Sequence, residues 1–166
     1  MKVSNIHRRV IDRPKSEISP LLDSLGSQHD KLWPKENWPS MKCADGLNAG
    51  AKCGHGPIRY TVLDYQVGAR VLFQFTKPDG WCGTHCFELI DHPTGKTIMQ
   101  HTLEMETSGA GTFKWLFVFR WLHDAILEDA FDNAENYFRP TGKKTPWNLW
   151  VKFLRKVLKP RKVHNK

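Results

Sequence analysis

The feature that most constrains the fold is a change of hydrophobic period near residue 108. Between residues 58 and 107 apolar side chains recur at every second position, in short runs separated by turns rich in Gly or Pro, as is typical of antiparallel strands. Residues 108–112, Ser-Gly-Ala-Gly-Thr, interrupt this pattern, and from 113 to 138 the apolar positions follow a helical period. A strand over residues 2–11 and two short helices come first. This order predicts an α+β domain with a long late helix.

Length and charge divide the chain into a domain and a tail. The 166 residues suffice for one domain with a large core, and seven Trp and nine Phe indicate either a ring-filled core or an aromatic pocket. Residues 141–166 carry nine Lys or Arg and no Asp or Glu, whereas the rest of the chain is close to neutral. We therefore expect a domain over residues 1–140 and a basic tail over residues 141–166.

The N-terminus and the cysteines predict a soluble cytoplasmic chain. The first residues have no apolar signal-peptide core, and the most apolar stretch, around residues 115–122, is interrupted by Arg120 and is too short to span a membrane. In the cytoplasm the four cysteines are expected to be free thiols.

Three stretches of sequence indicate a family. Residues 57–62 (PIRYTV), 68–73 (GARVLF) and 80–89 (GWCGTHCFEL), in this order of elements, resemble the START-related helix-grip superfamily (SRPBCC), in particular its bacterial polyketide cyclase/dehydrase-like branch. The resemblance covers residues 2–138. It implies a curved antiparallel sheet of about seven strands wrapped around the long helix, with a cavity between them. Members of the superfamily bind lipids, sterols or polyketides, and a minority are cyclases, dehydratases or hydrolases, so the resemblance implies a container rather than one function.

If that cavity exists, strand alternation and helical spacing predict its walls. The alternative is an ordinary packed core built from the same side chains. The nine candidate ligand-binding residues are Phe73, Phe75, His85, Phe87, Met99, His101, Met105, Trp115 and Phe119.

The two histidines are the polar candidates in this wall. His85 and His101 are predicted on the inner face of adjacent strands, where an imidazole orients a ligand or acts as acid or base. The alternative is a histidine bonded to backbone or to a buried tyrosine. Tyr60 and Tyr65 are further candidates for polar contacts. Because no carboxylate partner or nucleophile is evident, we assign no catalytic residue and favour a binding protein over an enzyme.

Cysteines and histidines resemble fragments of a zinc site. Cys82, His85 and Cys86 form one group, and Cys53 with His55 forms another. On an extended strand positions 82 and 86 lie about 13 Å apart, too far for one tetrahedral ion. We therefore predict neither a metal nor another cofactor.

The tail predicts an amphipathic basic helix. The expected apolar stripe consists of Trp147, Trp150, Val151, Leu154, Val157 and Leu158, and the expected basic side consists of Lys152, Arg155, Lys156 and Lys159. Docking on its own domain or on a second subunit is favoured, with anionic lipid and nucleic-acid phosphates as alternatives. The main domain has no nucleic-acid motif, so we expect an apolar small molecule as the partner and no nucleic acid.

Overall fold

Seven antiparallel strands form one sheet in the computed structural model, which describes residues 1–158. The strand order is β1-β7-β6-β5-β4-β3-β2, so the first strand pairs with the last and the others follow in sequence. The strands are β1 (Lys2–Ile11), β2 (Lys42–Cys43), β3 (Lys52–His55), β4 (Ile58–Gln66), β5 (Arg70–Lys77), β6 (Trp81–Asp91) and β7 (Thr97–Thr107). With the long helix described below, this confirms the predicted α+β helix-grip fold.

Two local features depart from regular strand pairing in the sheet. The pairing of β4 with β5 shifts register twice within residues 59–64, as β-bulges do. In β6, Gly83 has a φ of +155°, and a Cβ atom there would lie 2.2 Å from the carbonyl oxygen of Glu104 on β7. Only glycine allows these two strands to approach so closely.

One short helix, α1 (Lys15–Asp23), follows the first strand and buries Ile18, Leu21 and Leu22. The second short helix that we predicted after this strand is absent from residues 24–41, all of which the structure describes as turns, bends or irregular chain. The reason is local, because Pro34 and Pro39 each disfavour helical backbone at the residue before them.

The long helix occupies residues 110–138 and contains one wide turn. α2 (Ala110–Lys114) continues into a π-helical turn (Trp115–Phe119) and then into α3 (Arg120–Phe138), which confirms the predicted helix. The first half of this helix, residues 113–122, is apolar on nearly all sides; Trp115 is buried, whereas Phe113 and Phe117 are exposed. The sheet covers only one side of this segment. None of the helices within residues 1–158 is long and apolar enough to cross a membrane.

The tail forms the predicted helix, α4 (Leu149–Leu158), and packs on its own domain. Val151 and Leu154 are buried. Just before the helix, the ring of Trp147 meets that of Trp38 edge-on at 5.3 Å, and its indole N–H donates to the Asp129 carboxylate.

The apolar stripe predicted for this tail is only partly covered. Trp150, Val157 and Leu158 were placed in it, but all three are exposed. Lys159, predicted on the basic side, lies outside the described residues.

Two of the four cysteines are not free, which corrects the expectation of four thiols. Cys43 and Cys53 are directly paired residues of β2 and β3, with Cα atoms 4.2 Å apart, and they form a disulfide. Cys82 and Cys86 are free. Since disulfides are rare in reducing compartments, this bond counts against the cytoplasmic location, which stays a prediction.

Candidate functional site

A cavity of about 440 Å³ lies between the inner face of the sheet and the long helix. This volume is within the range of small-molecule sites. The π-helical turn contributes Trp115, Val118 and Phe119 to the lining, and the following turn contributes Leu122. Widened turns of this kind are frequent at functional sites.

Six of the nine side chains predicted to bind a ligand line this cavity. They are Phe75, His85, Phe87, His101, Trp115 and Phe119. The other three are buried but are not part of the lining. Phe73 stacks against the ring of His85 with centroids 4.8 Å apart, while Met99 and Met105 lie on either side of the cavity-facing part of β7. A ligand contact by any of the nine stays a prediction.

Sequence reasoning missed the part of the wall that comes from loops and from the tail. The loop before β2 contributes Trp33, Trp38 and Pro39, and α4 contributes Arg155 and Leu158. The one available signal was the pair of Trp-Pro steps in this loop. These steps indicate extended chain carrying large rings but do not indicate where the loop folds.

The two predicted histidines form a buried pair. His85 Nδ1 and His101 Nε2 lie 3.3 Å apart in a hydrogen bond, so the observed partner is neither backbone nor tyrosine. The other ring nitrogens, His85 Nε2 and His101 Nδ1, are buried without a protein partner. An unpaired buried nitrogen is costly, and a polar group of a bound ligand would remove that cost.

The protonation state of the two imidazole rings determines which hydrogen bonds they can form with a ligand. Burial, assisted by the neighbouring His55 and His123, lowers the pKa of His85 and of His101 well below the usual value, so both rings are neutral at pH 7. A neutral imidazole has one N–H and one acceptor nitrogen. One ring donates to the other, so the two remaining nitrogens are one donor and one acceptor whichever ring donates.

The two tyrosines proposed as polar contacts are not among the lining residues. The hydroxyl of Tyr60 lies 3.1 Å from His55 Nδ1, and its ring meets that of His85 edge-on. Burial, with contributions from His123 and Arg59, lowers the pKa of His55 to about 3. Tyr65 donates instead to Asp23, at 2.8 Å.

A carboxylate-histidine cluster lies where β1 meets α3. His7 Nδ1 is 2.9 Å from Glu128 Oε1, and His7 Nε2 is 3.1 Å from Asp124 Oδ1. Burial opposes the charged ring, but these two carboxylates outweigh it and raise the pKa of His7. His123, which lines the cavity, lies 3.8 Å from Asp124 Oδ1.

This cluster is the one group within residues 1–158 whose atoms are close enough for a metal ion. Ligand atoms of His7, His123 and Asp124 lie within 4.8 Å of one another. His7 is already held by two carboxylates, which accounts for its position without an ion. The cysteines first considered for zinc are elsewhere: Cys82 is exposed, and Cys53 is bonded to Cys43.

Both charged side chains among the described lining residues are basic. They are Lys114, which is exposed, and Arg155. The guanidinium of Arg155 lies 4.5 Å from the centre of the Trp38 ring and donates to the carbonyl oxygen of Asn37. The electrostatic character of the lining therefore favours neutral or acidic ligands.

Comparisons with known proteins show the fold. No family model matches the chain, and no curated protein matches it. Among solved structures, a protein of Thermobifida fusca has a TM-score of 0.64 at 11% identity, covering 87% of this chain and 99% of that one. A protein of Nitrosospira multiformis has a TM-score of 0.60 at 16% identity, with coverages of 86% and 100%. CalU16 from Micromonospora echinospora has a TM-score of 0.58 at 15% identity, with coverages of 93% and 82%. This chain is therefore similar in architecture to these α+β proteins.

Proposed function

We propose that the protein binds or carries an apolar small molecule in the cavity between sheet and helix. The observation that carries this proposal is an aromatic cavity of about 440 Å³. Packed protein cores contain few voids larger than a water molecule. The lining is almost entirely apolar, and an apolar concave surface of this size is better explained by an occupant than by packing.

The buried histidine pair defines the polar part of the proposed ligand. His85 and His101 offer one donor and one acceptor, and a ligand hydroxyl or a neutral carboxylic acid group matches both. The ligand that fits best is thus a largely apolar molecule with one such group. Fatty acids, fatty alcohols and polyketide-like compounds belong to this chemical class.

The START-related family, and its polyketide cyclase-like branch in particular, is part of the same proposal. It is supported by the three sequence stretches described above and by the likeness in architecture to the solved structures. Under this proposal the chain binds an apolar ligand in its cavity, as members of the superfamily do.

An enzyme of the cyclase, dehydratase or hydrolase type is the alternative use of this cavity. The histidine pair could provide a base. However, the described lining residues include no carboxylate and no cysteine. We therefore favour binding without turnover.

A fluorescent apolar probe tests the binding proposal. N-Phenyl-1-naphthylamine is expected to bind with an increase in emission and a stoichiometry of one. Val118→Trp adds a large ring to a lining position and is expected to weaken probe binding at least about tenfold. Val67→Trp makes a matched addition in an exposed turn and should leave binding unchanged. Equal binding by both variants, or no binding by the unmodified chain, would refute the proposal.

A further inference from the structure

We propose that an exposed apolar surface made by the first half of the long helix and by α4 docks on an anionic lipid bilayer. The surface, called here the apolar ridge, consists of Phe113, Leu116, Phe117, Trp121, Leu149, Trp150, Phe153 and Val157. None of these side chains is part of the cavity lining, so the inference does not depend on what the cavity binds.

The ridge is continuous across two elements. Residues 113, 116, 117 and 121 have the spacing of one helical face, as do residues 149, 153 and 157. The two halves meet where the indole N–H of Trp150 donates to the carbonyl oxygen of Phe117 at 2.9 Å. Trp150 also stacks on Phe153, with ring centroids 5.3 Å apart.

The side chains of the apolar ridge are more exposed to solvent than a group of large apolar residues on an ordinary protein surface. Phe113, Phe117 and Leu149 have exposed fractions of 67%, 59% and 84%, and Phe153 and Val157 are also more than half exposed. Single exposed apolar residues are common, but a connected group of eight marks an interaction site.

Charge around the ridge selects a negatively charged partner. Residues 110–123 contain Lys114 and Arg120 and no acidic residue, and residues 136–158 contain six basic residues and no acidic one. Aromatic and aliphatic side chains flanked by Lys and Arg are typical of helices that lie in the interface of an anionic membrane.

A second copy of the chain and a nucleic acid fit this surface less well. A symmetric dimer through the ridge would bring the same basic flanks together and oppose them. Nucleic acid would satisfy the basic residues, but its phosphate backbone offers no partner for so many aliphatic side chains. An anionic bilayer suits both kinds of side chain, because its headgroups pair with the basic residues and its acyl chains contact the apolar residues.

The position of the ridge links it to the cavity. Lys114 and Val118 lie in the first half of the long helix and line the cavity, as do Arg155 and Leu158 from α4. Docking through the ridge therefore sets this side of the cavity against the membrane surface. This consequence, unlike the docking itself, rests on the proposed function: an apolar ligand of the cavity would pass between bilayer and cavity without crossing bulk water.

Vesicle co-sedimentation tests the inference with a matched pair of variants. The full chain is expected to sediment with vesicles of mixed phosphatidylcholine and phosphatidylglycerol, and much less with pure phosphatidylcholine. Phe153→Asp should weaken this binding about tenfold or more, since it removes a ring and adds a negative charge. Val67→Asp makes the same kind of change at an exposed residue that is not part of the ridge and should bind like the unmodified chain. Circular dichroism confirms that both variants are folded.

Two further measurements separate charge from apolar contact and lipid from self-association. Lys152→Glu with Lys156→Glu should abolish the preference for phosphatidylglycerol. Light scattering after size exclusion should give the same monomer mass for the unmodified chain and for Phe153→Asp. The inference is overturned if the full chain ignores anionic vesicles, if Phe153→Asp binds them as well as Val67→Asp does, or if a dimer is present that Phe153→Asp dissociates.

Discussion

Replacing the buried histidine pair should flatten the dependence of stability on pH. In the folded chain burial, assisted by neighbouring histidines, keeps the pKa of His85 and of His101 well below 6.5, whereas in the unfolded chain both return to about 6.5. Below pH 6.5 the unfolded state therefore binds more protons, and the folded state loses stability as the pH falls. Between pH 8 and pH 5 each neutral histidine lowers the free energy of unfolding by about 2 kcal/mol, so the pair accounts for about 4 kcal/mol.

The double variant His85→Phe, His101→Phe removes this contribution, and the adjoining cavity provides room for the new rings. Urea unfolding followed by tryptophan fluorescence at pH 8 and pH 5 gives the two free energies of unfolding. The loss between these pH values should be about 4 kcal/mol smaller in the double variant than in the unmodified chain. His29→Gln, at an exposed position, is the control and should not change the loss. If the double variant loses as much stability as the control, to within about 0.5 kcal/mol, the two histidines are not buried in their neutral form.

Three further predictions concern the disulfide, the charge of the cavity and the close approach of β6 to β7. Thiol titration of the denatured, unreduced chain should find two thiols, rising to four after reduction; four thiols before reduction would contradict the bond. Reduction of Cys43–Cys53 should lower the free energy of unfolding by about 3 kcal/mol. The ionised form of dodecanoate is attracted by Arg155, so Arg155→Met should weaken its binding at pH 8 about threefold and leave that of dodecanol nearly unchanged in calorimetric titration; equal losses would show that charge is not the cause. Gly83→Ala should lower the free energy of unfolding by more than about 2 kcal/mol, because the added Cβ clashes with the carbonyl oxygen of Glu104. A smaller loss would mean that the two strands can move apart at little cost.

The elements of the fold follow closely from the sequence because each carries its own local signal. β7 alternates cleanly, and every second position from 97 to 107 is buried. The second short helix had no local apolar pattern of its own, and the structure has irregular chain at residues 24–41, which include the prolines at 34 and 39. Local pattern therefore decides the elements, and proline decides where they stop.

The cavity wall is less predictable than the elements. Alternation shows which face of a strand a side chain is on, but not whether that part of the strand lies beside the cavity. On β7, His101 and Leu103 line the cavity, whereas Met99 and Met105 on the same face do not. Only the packing of the helix against the sheet determines which stretch stays open. Arg155 was predicted on the basic side of the tail helix, but its place in the cavity wall depends on where the tail docks.

The disulfide was missed because the expected cytoplasmic location predicted free thiols, and no local pattern opposed that expectation. Cys43 and Cys53 become neighbours through the register of β2 against β3. β2 is only two residues long and carries no alternation of its own. The sequence therefore offered no local signal for that register.

Native mass spectrometry of the purified full chain shows whether the cavity holds a ligand. A fraction of the protein is expected to be heavier than its sequence mass by one small molecule, and extraction with organic solvent should release an apolar compound with a hydroxyl or acid group. Unoccupied chain should take up one equivalent of dodecanoate or dodecanol. Unoccupied chain that binds neither compound would contradict the claim that this cavity is a ligand-binding site.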